Sequence, residues 1–274
     1  MITVKDLSFA YGSKVVLRNI SMELKGGNIY GLLGENGVGK TTLLTLLCGL
    51  KKPQAGSIVT DGRNPFNRQP SLLGEQFYLP DEVAPAPSKA CDFGRETGAL
   101  WPAYDHDKFL QILAEFEVES TQKMDAMSSG QLKKTWIAFA LACNARNYFM
   151  DEPTNGLDIP SKAQFRKAIT KYTAEDSVVV ISTHQVRDLE NIIDPVIILD
   201  KEEVLMNATL EEISTKLFFD YGTTVNPDAL YLEKTPGGTI QVYPNATGEE
   251  SKVNIEALFN AVHAHKDVIK SLGL

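Results

Sequence analysis

The stretch Gly34-Glu35-Asn36-Gly37-Val38-Gly39-Lys40-Thr41-Thr42 meets the spacing G-x-x-x-x-G-K-[ST] at every fixed position. The apolar run Ile29 to Leu33 predicts a strand entering it, and Thr42 to Leu50 predicts an apolar helix leaving it. Glycine lets successive backbone N–H groups turn inward around a polyphosphate, where side chains would block both the turn and the approach. The helix N-terminus aims unpaired N–H groups and a partial positive charge at the same anion. On this reading Lys40 reaches the β- and γ-phosphates and the Thr41 hydroxyl holds Mg²⁺. A glycine-rich turn with a nearby lysine is the simpler alternative, and the strand and helix on either side weigh against it.

With 274 residues, 43% of them hydrophobic, the chain can bury a full core and hold one large or two unequal domains. The formal net charge of −8 and the scattered basic residues argue against nucleic acid as a partner, because phosphate backbones select clustered Lys and Arg. No apolar run approaches the roughly 18 residues needed to cross a bilayer. Met1–Asp6 lacks the charged and apolar regions of a signal peptide. The three cysteines, Cys48, Cys91 and Cys143, have no metal spacing and read as buried, reduced thiols of a cytoplasmic protein.

Up to Gly62 the pattern is of short strands and turns: Ile2–Phe9, Val15–Leu17, Ile20–Leu24 and a strand from Gly56 closed by a turn. Helical spacing runs from Ser88 to Leu100, recurs at Phe109, Ile112, Leu113 and Phe116, and returns from Ser128 to about Cys143. Strand Tyr148–Met150, helix Ser161–Tyr172, strand Val178–Ser182, helix Gln185–Ile193 and strand Val196–Leu199 then alternate, which implies a parallel sheet covered on both faces. The tail predicts helix Leu210–Phe219, strands Ala229–Glu233 and Thr239–Tyr243, and a final helix Asn254–His263. The expected fold is an α/β P-loop NTPase with a mixed, mainly parallel sheet core, an N-terminal antiparallel β region and an inserted helical subdomain at about 82–145. The pattern divides the chain into a main unit over 1–215 and a small α+β C-terminal extension over 216–274.

Tyr148-Phe149-Met150-Asp151-Glu152 is the second chemical element. An apolar strand ending in Asp-Glu delivers two carboxylates to the C-terminal edge of a parallel sheet, where ligands bind in such folds. Asp151 can bind Mg²⁺ directly or through water, and Glu152 can polarise an attacking water. Such pairs are common by chance; Pro153-Thr154-Asn155-Gly156-Leu157-Asp158 immediately after makes this one specific.

With these motifs in order, the chain resembles the nucleotide-binding subunits of ATP-binding-cassette transporters over about residues 1–215. The resemblance implies ATP and Mg²⁺ as cofactors, with Lys40, Glu152 and His184 catalytic and Tyr11 stacked on adenine. Met127-Ser128-Ser129-Gly130-Gln131 is similar to the family signature Leu-Ser-Gly-Gly-Gln, with Ser129 where glycine is usual. In the family two subunits pack head to tail. The resemblance therefore implies that Ser128, Ser129, Gly130 and Gln131 act in trans on a partner's nucleotide and that Asp158 crosses the dimer interface. His184 resembles the switch histidine that contacts the γ-phosphate. Two positions compete for the family's metal-sensing glutamine: Gln76 matches in type, and Asp81 matches better in position.

The implied function is transport-coupled ATP hydrolysis by a cytoplasmic subunit, peripheral on the cytoplasmic face of the membrane. Its implied partners are separate transmembrane permease subunits and a second cassette, identical or paralogous. The tail segment Val253–Phe259 resembles the ending of cassette subunits from multi-subunit export-type systems. The alternative is a soluble ATPase of the same superfamily in translation, chromosome or repair machinery. One cassette, no heptad insertion and no basic tract favour transport.

Overall fold

In the computed structural model, which describes residues 1–274, the chain opens on two long antiparallel strands, β1 (Ile2–Tyr11) and β2 (Lys14–Leu24). Strand β3 (Asn28–Leu33), the phosphate loop, helix α1 (Lys40–Leu47) and strand β4 (Ala55–Thr60) follow. A short α2 (Pro70–Leu73) and β5 (Gln76–Leu79) lead into three helices, α3 (Ala90–Gly98), α4 (His106–Glu115) and α5 (Ser129–Ala142). Next come β6 (Asn147–Asp151), α6 (Ile159–Tyr172), β7 (Val178–Thr183), β8 (Val196–Asp200), β9 (Glu203–Ala208) and α7 (Leu210–Lys216). The tail comprises β10 (Leu217–Gly222), β11 (Tyr231–Thr235), β12 (Gly238–Pro244), α8 (Ile255–Ala264) and α9 (Lys266–Ser271).

The central sheet has the order β5-β6-β7-β3-β8-β9, parallel throughout except for β9 at its edge. Its inner strands are apolar at almost every position because each face feeds a different core. Phe149, Val178, Val180, Leu32, Ile197 and Leu199 join one buried cluster; Tyr148, Met150, Val179, Ile181, Leu33, Val196 and Ile198 join the other. The side-chain period of two makes this split automatic, and helices or sheets on both faces make it stable. The first cluster is completed by Leu43, Leu44 and Leu47 of α1 and by Ile2, Val4, Leu7, Leu17 and Ile58 of the antiparallel sheet β2-β1-β4. The second takes in the helical segment and reaches Phe219, Val242, Leu258 and Val262 of the tail.

Two predicted helices take other forms. The helix expected over Gln185–Ile193 is a single 3₁₀ turn, Val186–Asp188. The Asp188 carbonyl accepts a bond from the Arg166 guanidinium at 2.9 Å, and its carboxylate pairs with Lys162 at 2.6 Å, so α6 holds this segment by side chains. The helix expected to run to Phe219 stops at Lys216. Leu217 to Phe219 instead pair with β12 and bury alternate side chains, so a strand partner far along the chain overrides the local pattern. The three-stranded sheet β10-β12-β11 therefore holds one strand more than the sequence pattern indicated.

The helical segment hangs on Phe139 of α5, which is fully buried. Its ring centroid lies 4.9 Å from Phe93, 5.5 Å from Tyr104, 5.6 Å from Trp101 and 5.8 Å from Phe77 of the central sheet. Edge and tilted pairings of this kind add to the area they bury. Phe139→Ala is expected to lower the unfolding free energy by about 3–5 kcal/mol in a denaturant titration, with Phe139→Leu recovering much of it. A loss below about 1 kcal/mol for Phe139→Ala would contradict this account of the core.

Candidate active site

The phosphate loop is wedged between two elements. A Cβ on Gly34 would lie 2.6 Å from the Leu199 carbonyl at the end of β8, and one on Gly39 would lie 2.8 Å from Cγ1 of Val16 on β2. Gly37 and Gly39 have φ of +81° and +116°, conformations that side chains resist. Gly39 caps α1 without a side chain, so the first N–H groups of the helix face the loop unclaimed by any cap.

The Lys40 ammonium, 6% exposed, folds back to donate to the carbonyls of Gly34 at 2.7 Å and Glu35 at 3.3 Å, and it lies 3.9 Å from Glu152 Oε1. Burial pushes its pKa below the ordinary lysine value, and the carboxylates of Glu152 and Asp151 pull it part of the way back. Asp151, at the end of β6 and 4% exposed, accepts from the Thr41 hydroxyl at 2.5 Å on one oxygen and from the Ser182 hydroxyl on the other. Glu152 follows with φ +44°, a strained conformation for a side-chain-bearing residue. Its amide donates to Ser182, and its carboxylate meets His184 Nδ1 at 2.8 Å. The ends of β3, β6 and β7 thus converge on one point, in the register that pairs Asp151 with Ser182.

Lys40, Thr41, Asp151 and Glu152 line a cleft of about 270 Å³ together with Tyr11, Lys14, Val16, Asn36, Gly37, Gly39, Thr42 and Asp81. The Tyr11 ring is half exposed at its mouth, with its hydroxyl 3.3 Å from Thr42 Oγ1. Asp81 lies in the cleft, whereas Gln76 is buried at the start of β5 and spends its amide on the Cys48 carbonyl at 2.7 Å. His184, Gly34 and Glu35 line instead a second, larger cavity of about 530 Å³, between the phosphate loop and α8, and His184 touches the first cleft only through its bond to Glu152.

Ser128, Ser129, Gly130, Gln131 and Asp158 do not line the cleft. Ser128 caps α5 in a reciprocal box: its hydroxyl accepts from the Gln131 amide at 3.2 Å, and the Gln131 side chain accepts from the Ser128 amide at 3.0 Å. Gly130 sits against Gly156, the only neighbour a Cβ there would meet, at 3.8 Å. Asp158 caps α6, and its bonds from Ser161 hold its carboxyl below the usual carboxylate range. Three residues near the carboxylates escaped sequence reasoning: Ser182, Asn155 and Lys133. Ser182 was legible only as the neighbour of Asp151 on the adjacent parallel strand, a relation that needs strand order and register.

An anion loop and a paired carboxylate opening into one cleft meet the requirements of an ATPase, where positioning and charge neutralisation carry phosphoryl transfer. The family described as ABC transporter matches residues 17–155. The ABC transporter ATP-binding protein NatA of Bacillus subtilis is 31% identical over 230 residues, covering 78% of this chain and 91% of its own length. A putative ABC transporter ATP-binding protein of Treponema denticola is 30% identical across 74% of this chain, which spans only 41% of that protein. A solved ATP-binding subunit of an ABC transporter superimposes with a TM-score of 0.72 at 24% identity, over 78% of this chain and 91% of its own. The chain belongs to the ABC transporter family and is an ATP-binding, ATP-hydrolysing subunit.

Ser182→Ala removes one partner from each of two buried groups, the Asp151 carboxylate and the Glu152 amide. Without nucleotide, it is expected to lower the unfolding free energy by about 1–3 kcal/mol in denaturant. A change within about 0.5 kcal/mol, the range of ordinary surface substitutions, would show that Asp151 does not depend on it.

Proposed function

We propose that this subunit energises an export-type transporter, docked with a second cassette on separate permease subunits at the cytoplasmic face of the membrane. Residues 1–215, with a helical subdomain at about 82–145, form the ATPase domain on this reading, and 216–274 form an appended extension. The observation that carries the proposal is the division of the site. Lys40, Asp151 and Glu152 share one cleft, while Ser128 to Gln131 lie elsewhere, at the N-terminus of α5. A second subunit packed head to tail brings its own α5 N-terminus and Asp158 to this cleft, where unpaired N–H groups stabilise the γ-phosphate.

Gly34 to Thr42 wrap the phosphates, and the Tyr11 ring stacks on adenine. Lys40 leaves the carbonyls of Gly34 and Glu35 to pair with the β- and γ-phosphate oxygens. The hydroxyl of Thr41 and the carboxylates of Asp151 and Asp81 form a set of hard oxygen donors that suits Mg²⁺. When bound, the metal would supply charge neutralisation on the phosphates. Glu152 orients a water in line with the γ-phosphorus and accepts its proton. His184, on the Glu152 carboxylate, contacts the γ-phosphate, so ATP hydrolyses to ADP and phosphate.

Glu152→Gln keeps the shape and removes the base. It is expected to slow single-turnover hydrolysis by about 10²–10⁴-fold, with ATP affinity unchanged within a few-fold. Turnover close to that of the unmodified protein would exclude Glu152 as the base.

A further inference from the structure

Asp81 stands on a ridge between two hollows. On one side it lines the phosphate-loop cleft with Thr41, Asp151 and Glu152. On the other it lines a groove of about 370 Å³ with Ser129, Lys133, Asn155 and Gly156. Its Oδ1 accepts from Asn155 Nδ2 at 3.1 Å and lies 3.6 Å from Lys133 Nζ.

Lys133 is unusual for a lysine. It sits on α5 with only 4% of its surface exposed, and its ammonium donates to the backbone carbonyls of Asp81 and, at 3.4 Å, Pro80. Asp81 is the only carboxylate it pairs with directly. A buried ammonium depends on its partner, because desolvation is offset only by pairing and hydrogen bonds. One carboxylate therefore joins three segments: the end of β5, the helix that begins with Ser129, and the loop that follows Asp151-Glu152.

A divalent cation in the cleft is a second claimant on the same carboxylate. Two cations bidding for one anion oppose each other, and solvent moderates the effect here because the Asp81 side chain is 41% exposed. We propose that Lys133 and the metal compete for Asp81: Lys133 is a positioning residue that limits Mg²⁺ uptake with nucleotide, and metal capture of the Asp81 carboxylate frees the Asn155 loop and leaves Lys133 held only by the Pro80 and Asp81 carbonyls. The inference rests on the reading of Asp81 as a metal ligand. By linkage, the tethers weaken metal-dependent binding by the factor by which the metal weakens the tethers, so removing them strengthens it.

The test is binding rather than turnover. The affinity for the non-hydrolysable β,γ-imido analogue of ATP is measured by calorimetry with Mg²⁺ and again in EDTA, and the ratio isolates the metal's contribution. Lys133→Met, which keeps the apolar stem, is expected to raise that ratio by at least about five-fold, the low end for coupled sites. Asp81→Ala should lower it, and adding Lys133→Met to Asp81→Ala should then change nothing. Asn155→Ala, a milder change, should move the ratio the same way as Lys133→Met and serves if Lys133→Met does not fold.

Each contrary outcome is distinct. If Asp81→Ala lowers the ratio but neither Lys133→Met nor Asn155→Ala raises it, Asp81 binds metal without competition and the inference is wrong. If the Lys133→Met effect persists in the Asp81→Ala background, the lysine acts as a distant charge, which also overturns it. If Asp81→Ala leaves the ratio unchanged, the metal-ligand reading fails and takes the inference with it.

Discussion

The buried carboxylate of Asp151 ties the phosphate loop to the sheet. One oxygen takes the hydroxyl of Thr41, at the start of α1, and the other takes the hydroxyl of Ser182, at the end of β7. An ionised group this deeply buried is tolerable only when its acceptor sites are filled. Filling them fixes the ends of three adjacent strands against one another, because Asp151 lies opposite Ser182 and Leu33 lies opposite Thr183. Glu152 inherits its place from this arrangement. Its amide is bonded to Ser182, and its strained backbone turns the carboxylate toward His184.

What the sequence made legible follows from how local each signal is. The phosphate loop, the strand that ends in Asp151-Glu152 and the start of α5 are each encoded within a few residues. The parallel sheet was legible because strands buried on both faces are apolar without interruption, as Val178–Thr183 nearly is. The failures have a common cause in distant partners. Leu217–Phe219 reads as a helix end until β12 is known to pair with it. Gln185–Ile193 has helical spacing, but the Asp188 carbonyl is taken by Arg166 of α6. Lys133, within the predicted helix Ser128–Cys143, carries no local signal that it is sealed under the Asp81 segment.

The helical segment and the tail depend on the central sheet in different ways. The helices reach it through the aromatic cluster around Phe139, whose ring touches Phe77 of β5. The tail shares that buried cluster through Leu258 and Val262 and adds ion pairs beside the cleft: Glu256 of α8 pairs with Arg187 at 2.7 Å, two residues past the His184-Gln185 step, and Lys266 pairs with Asp200 at the end of β8 at 2.6 Å. Phe259 of α8 also lines the cavity shared with His184.

In the proposed assembly one chain supplies the phosphate loop and another supplies the N-terminus of α5. This division is tested by mixing two disabled forms. Lys40→Ala lacks the loop cation and keeps Ser128, while Ser128→Arg blocks the helix start and keeps Lys40. Each alone should hydrolyse little ATP. If the site is shared between chains, their mixture contains pairs with one complete site, and its hydrolysis rises well above the sum of the separate forms. A mixture no more active than that sum, in a protein shown by sedimentation to exchange subunits, would contradict the account.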